Sequence, residues 1–236
     1  MKKITLLIVV IIIVISCKEV NSESEPFGNN FYFENPQPIN DSELSSFPNK
    51  FQGIYMNSDS TYLNINKNLI FTESKTKFMC HKTKLDSLKQ DFYFENGKYI
   101  SKDTKDVFDS KKIGDSVELS YKDIDTLFIF SKTQKAKRIN GNLALNEKDS
   151  VFWKIKLISL NKNLLTIKYF YSDNDLKRMD SITKIPSKMI DSLSFVIAPS
   201  RTEFKKFSDI KDFGFDSKFI KVKKWKLENA FRCNLG

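Results

Sequence analysis

The chain has 236 residues, a formal net charge of +10, three cysteines and one histidine. Hydrophobic residues at 40 %, with aromatics at 13 %, supply a packed core and exclude a disordered chain. Seven glycines and one histidine leave no phosphate-cradling loop and no zinc set, and the lysines alternate with acids instead of forming a dense block. No cofactor, metal or nucleic-acid partner is therefore expected.

Met1-Lys2-Lys3 precedes an aliphatic run from Ile4 to Ile15, broken only by Thr5 and followed by Ser16-Cys17. A positive start before a short apolar stretch is the layout of an export signal. A membrane-spanning helix needs about 20 apolar residues, and Lys18 and Glu19 end this run too early. Val14-Ile15-Ser16-Cys17 resembles the lipobox of bacterial lipoprotein precursors. The resemblance covers residues 1–17 and implies removal of residues 1–16, a diacylglycerol thioether on Cys17 and acylation of the new amino terminus. Several buried acyl chains, each methylene contributing about 0.8 kcal/mol, hold far more firmly than one. A membrane reached through this N-terminal lipid is the first expected partner.

Residues 17–49 read as a flexible tether, with Pro26, Pro36, Pro38 and Pro48 among Asn, Ser and Glu. This stretch carries a net charge of −5, so the rest of the mature chain is strongly basic. A basic body is drawn to an anionic membrane or a polyanionic glycan. Lysines that merely protect the faces and edges of a β-protein produce the same balance. Lys18 to Glu25 is similar to the acidic stretches that some envelope bacteria use for surface export, and no aspartate directly follows Cys17. The outer membrane is the expected destination, with its face left open.

From Phe51-Gln52-Gly53-Ile54-Tyr55 onward the apolar period is mostly two, the mark of strands. Tyr62–Ile65 and Leu69–Thr72 form an expected hairpin across Asn66-Lys67-Asn68, with Leu63 and Ile65 on one face. Asn96-Gly97, between Phe92-Tyr93-Phe94 and Tyr99-Ile100, and Asn140-Gly141, between Lys137–Ile139 and Leu143–Leu145, supply the positive φ angles of type I′ turns. Trp153, Ile155 and Leu157 alternate with Lys154 and Lys156, and the chain turns at Asn161-Lys162-Asn163 into Leu165, Ile167, Tyr169 and Tyr171. Such alternation predicts an antiparallel sheet with one face on a core. Asp, then Ser or Thr, then an aliphatic recurs at Asp86, Asp115, Asp125, Asp149, Asp180 and Asp191 without fixed period, and predicts chain reversals.

Near the end Ser200 and Glu203 stand in capping-box relation, Phe204, Phe207 and Ile210 share a helical face, and Gly214 is placed to stop the helix before a strand over Phe215–Val222. The expected fold is mainly β: an antiparallel sheet, or a half-closed lipocalin-like barrel, with one C-terminal helix packed on it. The expected organisation is a signal peptide over 1–16, the tether over 17–49 and one β-rich domain over 50–236 with its helix at about 200–212. Phe51-x-Gly53-x-Tyr55 and the Trp153–Leu157 strand give the body a likeness to β-rich lipoproteins of bacterial envelopes, a likeness that implies no activity.

Chemistry is sparsely spelled. Neighbours on a strand point to opposite faces, so Cys80 and His81 do not form a nucleophile and base between themselves. Cys80 and Cys233 are the only pair left after lipidation; joined, they would close a loop of about 150 residues and contribute about 2 to 4 kcal/mol. A glycosidase needs only two acids about 5 to 9.5 Å apart; on a strand Asp123 and Asp125 share a face, as do Glu118 and Ser120. No Gly-x-Ser-x-Gly elbow or calcium loop appears. Tyr93, Tyr99, Tyr121, Trp153, Tyr169 and Tyr171 are candidates to line a ligand cavity, with core packing the competing reading for Trp153. The expected role is a noncatalytic, membrane-anchored binding protein for a small apolar or glycan ligand or an envelope protein partner. The alternative is an envelope hydrolase with paired carboxylates.

Overall fold

The computed structural model describes residues 30–170, 185, 187–192, 194–210 and 213–222. The signal segment 1–16, Cys17, Tyr171, Asp180 and Cys233 lie outside the described residues. The strands, in chain order, are β1 (Asn30–Phe33), β2 (Gly53–Met56), β3 (Tyr62–Ile65), β4 (Leu69–His81), β5 (Phe92–Glu95), β6 (Lys98–Ser101), β7 (Val107–Ile113) and β8 (Ser116–Ile129). They continue as β9 (Gln134–Ile139), β10 (Asn142–Asp149), β11 (Phe152–Asn161), β12 (Leu164–Tyr169), β13 (Ser187–Asp191), β14 (Ser194–Ile197) and β15 (Phe215–Lys221). The helices are α1 (Leu85–Asp91), entered through a 3₁₀ turn at Lys82–Lys84, and α2 (Arg201–Ser208).

All these strands belong to one mainly β sheet whose hydrogen-bonded path runs β13, β14, β1, β11, β12, β15, β2, β3, β4, β8, β7, β6, β5, with β9 and β10 branching from β11. The predicted hairpins are present in register, Ile65 opposite Ile70 and Phe94 opposite Tyr99. Both Asn-Gly turns adopt positive φ, 51° and 78° at Asn96-Gly97 and 48° and 78° at Asn140-Gly141. Of the expected reversals, those at Asp115, Asp149 and Asp191 are turns, whereas Asp86 lies in the first turn of α1 and Asp125 inside β8. The sheet is not closed. It is also not purely antiparallel, because β1 runs parallel to β14 with Phe33 opposite Ile197.

Two apolar layers hold the body together. One is built from Phe47, Phe51, Tyr55, Leu63, Ile65, Ile70, Phe128, Leu143 and Ile158. The other lies on the far side of β11, where Trp153, Ile155 and Leu157 meet Phe33, Phe170 and the α2 residues Phe204 and Phe207. The α2 capping box is formed, Ser200 Oγ accepting from the Glu203 N–H while the Glu203 carboxylate accepts from the Ser200 N–H. The helix ends at Ser208, before Gly214. Gly214, at φ +72°, instead lets the chain pass close to β12, where any Cβ would collide with the Tyr169 carbonyl.

The tether expected over 17–49 is folded from Asn30 onward. Phe31, Phe33 and Phe47 are buried, and Phe33 faces Trp153 across the β1–β11 pairing. The polar stretch between them is held by buried partners, which its composition conceals. Asn146 accepts from the Gln37 N–H at 2.6 Å and donates to the Gln37 carbonyl at 2.9 Å. The Lys137 ammonium donates to the carbonyls of Pro36 at 3.1 Å and Pro38 at 2.9 Å. Buried backbone groups satisfied by side chains in this way need no aliphatic run to stay inside.

Candidate functional site

β4 and β8 are thirteen and fourteen residues long and pair along their whole length. Their first contacts belong to the body; beyond about Lys75 opposite Lys122 they leave it and carry β7, β6 and β5 as a distal sheet. Side chains alternate across a strand, so the register sorts this sheet into two unlike faces. One carries Lys77, Glu118, Lys98 and Asp109, joined in ion pairs of 3.2 Å. The other carries Phe78, Cys80, Leu119, Tyr121, Phe108, Tyr99, Phe94 and Phe92.

That second face is a chain of rings. Phe108 sits at the centre, with centroids 5.8 Å from Phe78, 5.3 Å from Phe92 and 5.3 Å from Tyr121. Phe94 and Tyr99 pair at 4.9 Å nearer the hairpin tip. Tilted and edge-on contacts at these separations are the favourable aromatic geometries. Leu119 and Cys80 are buried and Phe94 is 61 % exposed, while Tyr93, which the register turns to the opposite face, is 41 % exposed. An open groove of about 710 Å³ runs beside β5, lined by Lys82, Lys89, Phe92, Tyr93, Phe94, Tyr99 and Lys102. Its lining has three ammonium groups and no carboxylate. Lys102 donates to the carbonyls of Lys89 and Gln90 at the end of α1, while Lys82 is paired with the exposed Asp115 at 2.6 Å.

Of the aromatic residues expected to line one cavity, Tyr93 and Tyr99 meet in this groove and Tyr121 joins them through Phe108. The other two described members do not. Trp153 is 8 % exposed within the layer beneath α2. Tyr169 packs on the body core beside Phe215 at 6.3 Å. The body core is filled by side chains exposed by 1 % or less, including Phe47, Phe51, Tyr55 and Phe128, and the groove is lined from the distal strands instead. Sequence inspection passes over Phe78, Phe92, Phe94, Phe108, Lys82, Lys89 and Lys102. The available signal is Phe92-Tyr93-Phe94 itself: three consecutive rings have no wet face, so an edge strand must expose some of them.

The remaining candidates disperse. His81 is exposed, its Nδ1 3.0 Å from Thr83 Oγ1, while Cys80 turns inward to the aromatic face and has no disulfide partner among the described residues. Asp123 and Asp125 do share a face, opposite Ser74 and Thr72, and both are exposed on an open strand. Burial, then the carboxylates of Asp106 and Asp123, push the Tyr121 phenol up. Glu118 is committed to Lys77. A second concavity, about 460 Å³ beside Asn40–Leu44 and Arg138, has no aromatic wall. Its acids are already met by cations, Asp41 by Arg201 and Glu43 by Lys135, each at 2.6 Å. Among the described residues no His, Cys, Asp and Glu cluster would hold a metal, and no helix is long and apolar enough to cross a membrane. No protein-family model, curated protein or solved structure matches the chain.

Proposed function

We propose that the protein is a noncatalytic binding lipoprotein of the bacterial envelope, anchored through Cys17 at the outer membrane and engaging its ligand with the distal sheet. The observation that carries the binding assignment is the groove at β5 and β6, where four aromatic rings and three lysines line one open surface. Rings offer flat apolar contact to a sugar face or a protein side chain, and the lining, though Lys82 is shared with Asp115, stays positive and favours negative charge. The groove lining holds no paired carboxylates and no nucleophile with a base, which favours binding over hydrolysis.

The test is native mass spectrometry of the detergent-extracted mature chain beside a Phe94→Ser, Tyr99→Ser variant. The expected result is a bound small ligand or protein on the parent that the variant loses while its circular dichroism stays unchanged. A ligand retained equally by both would move the site elsewhere, and turnover of an envelope glycan by the purified chain would favour the hydrolase.

A further inference from the structure

We infer that the outer edge of β5 is a strand-addition site for an extended, acidic segment of a protein partner. This inference rests on the proposed binding role of the distal sheet. β5 ends the sheet path and, among the described residues, pairs only with β6. Glu95 and Lys98 close the two-residue Asn96-Gly97 turn, and in such a hairpin the closing pair exchanges both ladder bonds. Bonding then alternates along the strand, so Tyr93 faces Ile100 while the backbone groups of Phe92 and Phe94 point away from β6. The Phe92 N–H caps α1 by donating to the Leu88 carbonyl. The Phe92 carbonyl and both backbone groups of Phe94 have no partner among the described residues.

The groove has the shape this edge requires. Phe92, Tyr93 and Phe94 are consecutive, so their rings project to alternate faces, yet all three line the same groove. A concavity on one face of a sheet touches only every second residue; one touched by three in a row runs along the edge. An added strand would set its alternate side chains against Phe92 and Phe94 on one side and Tyr93 on the other, the geometry by which edge addition combines main-chain bonds with side-chain selection. Lys82, Lys89 and Lys102 surround that track, whose lining holds no carboxylate; Lys82 shares its charge with Asp115 and Glu95 ends the strand, so the lining keeps a positive excess that favours acidic side chains on the incoming strand. At the other end of the path, β13 carries Lys188 and a register break between Met189 and Asp191, devices that discourage pairing. β5 has neither a bulge nor a lysine or proline within its four residues.

The probe is a capped hexapeptide of alternating glutamate and valine, titrated into ¹⁵N-labelled mature chain carrying Cys17→Ser, with a lysine–valine hexapeptide as its charge-reversed control. The expected result is a set of shift changes centred on β5 and the three lysines, with hydrogen exchange at the Phe94 amide slowed about tenfold or more. Added salt should weaken the effect, and Lys89→Glu should reduce it. Unchanged Phe94 exchange at millimolar peptide, or equal binding of the lysine peptide, overturns the proposal. So does a doubled mass with Phe94 already protected in the absence of peptide, because a second copy would then occupy the edge. If the peptide fails while a ligand is lost from the Phe94→Ser, Tyr99→Ser variant, strand addition falls and the binding site stands; if both fail, the distal sheet is not the binding surface.

Discussion

Tyr55 has its ring wholly inside the core and its hydroxyl donating to the Phe51 carbonyl at 2.8 Å. Burial pushes its phenol up to about 12 from the ordinary 10.0. Between those pH values the unfolded chain sheds a proton that the folded chain keeps, so stability present below pH 10 is lost as pH rises toward 12, by about 2 to 3 kcal/mol. Tyr55→Phe should remove that alkaline fall in urea unfolding, while costing about 1 kcal/mol at neutral pH through the missing hydrogen bond. Lys137 works the other way, because burial lowers its amine against the smaller opposing pull of Glu43 and Asp41. Its contribution rises as pH approaches the unfolded value of 10.5, and Lys137→Met should flatten that rise. Asn146 is fully buried and serves both backbone groups of Gln37. Asn146→Leu should leave that pair unmet, destabilising by about 2 to 4 kcal/mol in the same measurement. These roles are illegible in one dimension: Asn146 and Gln37 are 109 positions apart, and nothing in either one's neighbourhood announces the other.

Hairpins are the elements most legible in the sequence, since Asn-Gly states a backbone conformation locally and alternation on either side states which face is buried. Glycines at positive φ nevertheless do unlike work, and the difference is measurable. Gly97, at φ +78°, has nothing near a hypothetical Cβ, so Gly97→Ala should cost only the conformational penalty, about 1 kcal/mol. Gly214→Ala should cost several times as much, because the added carbon strikes the β12 backbone and spreads the β12–β15 pairing. Thermal melts of the two variants side by side would show the contrast; equal losses would mean that the close approach is unimportant. The capping box makes α2 similarly readable, and Ser200→Ala should cost about 1 kcal/mol. Its C-terminal end was less so: Phe204, Phe207 and Ile210 keep helical spacing, yet the helix closes at Ser208 with the Asp209 N–H bonded to the carbonyls of Lys206 and Phe207.

At the scale of the molecule, the mainly β class follows from the dominant period of two, whereas the folding of residues 30–49 does not, because their burial depends on partners supplied from β9, β10 and α2. Arg201 holding Asp41 at 2.6 Å is one such link. The tyrosine set splits for a related reason: periodicity says that two residues face inward, but only the path of the sheet says which interior they face. Cys17→Ser in the full precursor should release the protein from the membrane fraction of an expressing cell and change its gel mobility; unchanged behaviour of both would remove the anchoring proposal. Because, among the described residues, the distal sheet is joined to the body through the antiparallel β4–β8 pair, the protein is divisible along it. Ser74 and Asp123 are register partners, so a two-residue Asn-Gly bridge between them would recreate a hairpin in place of residues 75–122. The shortened chain should keep both apolar layers and the Tyr55 titration while losing the groove, turning a native outgrowth into a removable cartridge.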